Sequence, residues 1–216
     1  MSSRETILGR IRAALSDRPA ADVPAVPEVW PETDADRATM LARFGEEIEA
    51  VQGELRRCGS IDEARAGLAK LVGELSCSRL GAVDRPLARE LVEGLAAAQV
   101  AWVDDQWDKT ALGRLDAALV TADLLLADTG SCVVECRTAE ERMMCYLPPV
   151  CIVAARAGSL REHLPAAWQD LVPRIAEPDR RGEFVIVTGP SRTADIEKIL
   201  ILGVHGPKRL VVFVVE

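Results

Sequence analysis

The stretch from Phe184 to Pro207, FVIVTGPSRTADIEKILILGVHGP, constrains the fold more tightly than any other part of the chain. Phe184 to Val187 is a short apolar, β-branched run of the kind that forms a buried strand, and Thr188, Gly189 and Pro190 break it. A helix is expected next. Ser191 or Thr193 supplies an N-cap oxygen, Asp195 and Glu197 put negative charge in the first turn, and Ile196, Ile199 and Leu200 share one face. Gly203 and Gly206 end it.

A strand, a glycine turn and a helix start leave backbone N–H groups converging on one spot at the positive end of the helix dipole, which suits an anion. Arg192 adds a planar clamp for a carboxylate or phosphate, and the hydroxyls of Thr188, Ser191 and Thr193 add donors. The string is neither a Walker loop nor G-x-G-x-x-G. Two readings stay open at this level: an anion pocket, or a turn whose polar groups satisfy one another.

Upstream, helical and strand patterns alternate. Ser3 to Leu15 reads as an amphipathic helix with Ile7, Leu8, Ile11 and Leu15 on one face, followed by a proline-rich linker to Asp34. Such a tethered helix docks either on its own domain or on a neighbouring subunit. Residues 1–34 are therefore set apart from a domain over residues 35–216. Within that domain, Ala35 to Arg57 and Ile61 to Leu75 carry apolar residues at helical spacing, Arg79 to Val83 and Val100 to Val103 read as strands, and Asp84 with Pro86 opens a helix through Ala98 between them. Leu124 to Ala127 and Cys132 to Cys136 flank Asp128-Thr129-Gly130 as a hairpin. Val150 to Ala154 reads as a buried strand, Leu160 to Leu171 as a helix, and Leu210 to Val215 as the strand that closes the sheet. The alternation predicts a mixed, mostly parallel α/β domain, three layers deep.

The chain's 216 residues suffice for a substantial core, and a net charge of −8 with no basic run argues against nucleic acid and anionic membrane surfaces. No apolar run reaches membrane-spanning length and no secretory leader is visible at the start, so a cytoplasmic protein with reduced thiols is expected.

Three strings, TGPSRTADIEKILILGVHGP from Thr188, ADLLLADTGS from Ala122 and LPPVCIV from Leu147, occur in the order found in the lactate utilization protein C family, the LUD domain, and the chain resembles that family over about residues 35–216. Asp128 stands where the family commonly has Glu, and Cys151 where it commonly has His. The resemblance implies a Rossmann-like fold of the ribose-5-phosphate isomerase, glucosamine-phosphate isomerase and CoA-transferase type, and a bacterial subunit of a multi-protein system that oxidises L-lactate to pyruvate. Iron-sulfur clusters are then expected in partner subunits and no cofactor in this chain. The alternative is a stand-alone enzyme acting on a sugar phosphate or acyl-CoA, against which no catalytic lysine string or G-x-S-x-G motif is present.

Ligands of open α/β sheets sit beyond the carboxyl ends of strands, which brings forward three turns. Thr129, Gly130, Thr188, Gly189, Ser191, Arg192 and Thr193 are the candidate ligand-binding residues, and Asp128 and His205 the candidates for handling a proton. Asp128 as a turn-stabilising residue and His205 as a surface residue are the competing readings. His163 reads as an exposed helix residue without a role. Cys132, Cys136, Cys145 and Cys151 match no iron-sulfur spacing and read as small apolar core residues, with Cys132 and Cys136 on one face of a strand. No metal site is expected, no flavin or nicotinamide fingerprint is present, and self-association is left open.

Overall fold

The computed structural model describes residues 3–16, 30, 33–175, 183–193, 201–203 and 205–216, in two compact units, Met1–Pro31 and Glu32–Glu216. In the first, helix α1 (Ser3–Ser16) carries Ile7, Ile11 and Leu15 exposed.

The second unit is built on a six-stranded sheet, every pair of it parallel. Its strands, in spatial order, are β1 (Glu54–Cys58), β12 (Arg209–Val215), β7 (Val150–Arg156), β4 (Ala117–Thr121), β2 (Leu80–Val83) and β3 (Val100–Val103). One face is covered by α3 (Ile61–Glu74) and α4 (Pro86–Val92), whose Leu68, Leu71 and Leu91 pack on Leu119, Ile152 and Phe213. Against the other face lie Phe44 and Ile48 of α2 (Arg37–Ala50), Leu112 of α5 (Lys109–Leu112) and Met144 of α6 (Ala139–Met144). A second, four-stranded sheet completes that layer: β8 (Leu160–Arg161), β5 (Leu124–Leu126), β6 (Ser131–Cys136) and β9 (Glu183–Val187). Its inner face, with Leu125, Cys132 and Val134, joins the same core, and α7 (Leu164–Ile175) covers its outer face through Ala167 and Leu171. The mostly parallel, three-layer α/β arrangement is thus present, and the antiparallel pairing sits in a sheet of its own. Each fully buried Leu, Ile or Phe contributes on the order of 1.5–3 kcal/mol.

Several sequence expectations need correction. The helix read through Arg57 stops at Ala50, because Gln52 takes a left-handed φ of 66° and the Gly53 amide donates to the Ile48 carbonyl at 2.8 Å. Leu55, at helical spacing from Ile48 and Val51, instead points from β1 into the core. The helix after β2 ends at Val92, short of Ala98. Leu160 and Arg161 are strand, and α7 starts only at Leu164. His163 is buried rather than exposed, and its Nδ1 accepts the Ala166 amide at 3.0 Å, so that it caps α7. β12, the strand read as closing the sheet, lies between β1 and β7.

The opening stretch departs most from expectation. Among the described residues β9 pairs only with β6, at the end of the second sheet, with Ile186 exposed and Phe184 half-buried, so it is not a buried central strand. Ser191 is followed by strand rather than directly by a helix. Arg192–Thr193 form β10, paired antiparallel with β11 (Ile201–Leu202). The helix expected across Asp195 to Leu200 lies outside the described residues.

Candidate functional site

Thr188, Gly189, Pro190 and Ser191 leave β9 in a turn that only glycine permits at its second position. Gly189 has φ +73°, and a Cβ there would lie 2.7 Å from the Val51 carbonyl oxygen at the end of α2. The Ser191 amide then donates to the Pro207 carbonyl, and the Gly203 amide donates to the Ser191 carbonyl, each at 2.8 Å. Gly206 approaches from the other side, leaving only 2.9 Å between a Cβ placed on it and that of Ser191. The GPS and HGP segments, with residues 192–204 between them in the chain, therefore fold directly against each other.

Between them is a cleft of about 280 Å³. Thr188, Ser191, His205 and Tyr146 line it with polar side chains, and Cys145, Cys151, Val185, Val187 and Leu210 give it an apolar floor. Cys151 and Leu210 are the second residues of β7 and β12. The cleft therefore lies at the amino ends of these parallel strands, not beyond their carboxyl ends as expected. It does lie at the carboxyl end of β9, because β9 belongs to the second sheet, whose end strand meets the parallel strands there.

The Asp128 turn reaches the same place through hydroxyls. Thr129 Oγ1 donates to Asp128 Oδ1 at 3.2 Å, Ser131 Oγ donates to Thr129 Oγ1 at 2.8 Å, and Ser131 Oγ lies 2.7 Å from Thr188 Oγ1. Asp128 is thus joined to the cleft without lining it. Gly130, with φ +61°, packs on the backbone of α2.

Of the residues read from sequence, Thr188, Gly189, Ser191 and His205 line the cleft, and Asp128 and Thr129 connect to it. Gly130 serves the turn. Arg192 is exposed on β10 and is not among the lining residues, and Thr193 continues β10. The Ser191 amide, expected to be free for an anion, is spent on Pro207. Two residues went unassigned by the sequence reading. Ser131 is 1% exposed and links the two turns; Tyr146 follows α6 and lines the cleft. A serine opening the apolar run SCVVEC was the available signal for the first; nothing local marks the second.

Cys132, Cys136 and Cys151 are thiols rather than thiolates. Burial pushes Cys151 up to about 12 and raises Cys132 as well, while Cys136 is raised first by its hydrogen bond with Cys145 and then by burial. Protonated, buried sulfur is a poor nucleophile. Among the described residues, no three His, Cys, Asp or Glu side chains are arranged to hold a metal ion.

Residues 41–215 match the model of the LUD domain. The chain belongs to the LUD domain family. Curated relatives of this LUD protein include lactate utilization protein C of Halalkalibacterium halodurans, 31% identical over an alignment of 118 residues that covers 51% of this chain and 51% of the relative. Lactate utilization protein C of Bacillus pumilus is 30% identical over 100 residues, 46% of this chain and 42% of the relative. The LUD chain thus spans about half the length of the curated relatives it matches. A crystal structure of a DUF162 family protein from Deinococcus radiodurans has the same fold, with a TM-score of 0.65 at 21% identity, covering 84% of this chain and 99% of that one. No helix among the described residues is long and apolar enough to cross a membrane.

Proposed function

We propose that this LUD domain acts in lactate utilization as a cytoplasmic component of a multi-protein system that oxidises L-lactate to pyruvate, and that it binds a small carboxylate in the cleft between Thr188–Ser191 and His205–Pro207. The observation that carries the reading is the direct packing of the two signature segments, through Ser191 and Pro207, around one small cleft with a mixed polar and apolar lining. Its size fits a metabolite of a few heavy atoms. Ser191 and Tyr146 supply hydroxyl donors and His205 an imidazole for the carboxylate, and the valines and Leu210 take an alkyl end. The relatives named lactate utilization protein C support the pathway.

Electron transfer needs a redox group that side chains do not replace, so oxidation is assigned to iron-sulfur partner subunits and recognition to this chain. The test is twofold. L-Lactate should raise the melting temperature of the purified protein, and less so in Ser191→Ala and His205→Ala; a strain lacking the gene should grow poorly on L-lactate. Indifference of the purified chain to small carboxylates would remove the binding role. Turnover of a sugar phosphate or acyl-CoA by the isolated chain would replace the reading with that of a stand-alone enzyme.

A further inference from the structure

The hydroxyls that run from Asp128 to the cleft have a direction. An ionised carboxylate only accepts hydrogen bonds, so the Thr129 proton goes to Asp128 Oδ1. Each hydroxyl carries a single proton. The Ser131 proton is committed to Thr129 Oγ1, which leaves Thr188 as the donor in its 2.7 Å contact with Ser131. Ser131, at 1% exposure, is shielded from water, so protein groups alone set its orientation. Thr188, by contrast, is exposed and lines the cleft.

With its proton turned toward Ser131, Thr188 Oγ1 has only lone pairs to offer a ligand in the cleft that Thr188 lines. From this polarity, and resting on the reading of the cleft as a small-carboxylate site, we infer that Thr188 is a specificity residue: it accepts a hydrogen bond from the ligand, and the site favours a carboxylate bearing a hydroxyl donor over its keto counterpart. A keto oxygen placed at the same point would set acceptor against acceptor. A ligand lacking any oxygen there would neither gain nor clash. The carboxylate of Asp128, three hydroxyls away, is what holds the direction, so Asp128 acts as a positioning residue and does not touch the ligand.

The experiment compares L-lactate, pyruvate and propionate, which differ at one carbon only, by calorimetric titration of the purified chain. The wild type should bind L-lactate about threefold to tenfold more tightly than propionate, the yield of one hydrogen bond, and pyruvate no better than propionate. Thr188→Val keeps the shape and removes the oxygen; it should bring L-lactate down to the level of propionate, so that the ratio of the two affinities falls to about one. Asp128→Ala, shown by its melting curve to be folded, should narrow the gap between L-lactate and pyruvate, since the hydroxyls can then reverse. Equal binding of L-lactate and propionate in the wild type, tighter binding of pyruvate, or an unchanged ratio in Thr188→Val would overturn the polarity and leave the carboxylate site standing. If none of the three binds, the carboxylate reading fails and the polarity argument falls with it.

Discussion

A Cβ placed on Gly130 would lie 2.3 Å from the amide nitrogen of Ile48. The turn between β5 and β6 is thus seated directly on the backbone of α2, and the Gly189 turn is seated on the same helix end at Val51. One helix terminus therefore sets the spacing of the two turns that build the hydroxyl link into the cleft. Both glycines also have φ in the left-handed region, so each combines a conformational demand with a steric one.

Gly130→Ala should destabilise the protein by about 3 kcal/mol or more, because a backbone atom, not a flexible side chain, blocks the added methyl. For a domain of this size that is a fall in melting temperature of roughly 6–12 °C. Thermal melts followed by circular dichroism measure it, and a shift under 2 °C would contradict the close approach.

Arg209 grips Glu54 in a bidentate pair, at 2.5 Å and 2.8 Å, where β12 meets β1. The hydrogen bond from Arg209 is the main cause holding the Glu54 carboxyl below its ordinary value. A carboxyl lowered in the folded state contributes stability in full above its unfolded value of about 4.3 and loses it as pH falls through the folded value. Arg209→Ala should cost about 0.5–1 kcal/mol at pH 7, since both side chains are partly exposed, and the difference from wild type should shrink below pH 4. Melting curves at pH 7, 5, 4 and 3 test this.

His163 caps α7 through Nδ1, which places its proton on Nε2, and that buried atom has no hydrogen-bond partner among the described residues. His163→Asn keeps an acceptor at the cap and puts a buried amide NH2 in place of the unsatisfied Nε2–H, exchanging one unpaired donor group for another, so it should remain within about 1 kcal/mol of wild type. His163→Ala loses the cap and leaves a void, and should cost about 1 kcal/mol more than the Asn variant. Urea unfolding of both variants ranks them; equal stability would mean the cap contributes nothing.

All six cysteines are free and buried. Ellman's reagent should label fewer than one thiol per native chain within minutes at pH 7.5, and six in guanidinium. Because Cys132, Cys136 and Cys151 are raised in the fold, moving to pH 9 should release none of these three in the native state. Mass spectrometry of the labelled peptides identifies which thiols react.

Much of the scaffold was legible in the chain. β2, β3, the β5–β6 hairpin, β7 and β12 follow from short apolar runs bounded by turn residues, and α3 from its apolar spacing; the structure adds a cap at Ser60, whose side chain accepts the Glu63 amide. β1 was not, because Leu55 satisfies a helical and a strand pattern equally and only its pairing with Val212 decides between them. His163 looked exposed because the local pattern does not reveal that the chain turns from β8 into α7 at that residue.

What the sequence by itself determined was local: where the backbone must turn, which runs are apolar enough to be buried, and which strings mark the family, since these depend on sterics and hydrophobicity over a few residues. What only the tertiary structure decided was the division into two sheets, the spending of the Ser191 amide on Pro207, the exposure of Arg192, and the joining of Asp128 to Thr188 through Ser131. Those outcomes depend on hydrogen bonds and packing between residues far apart in the chain, whose partners no local pattern can name.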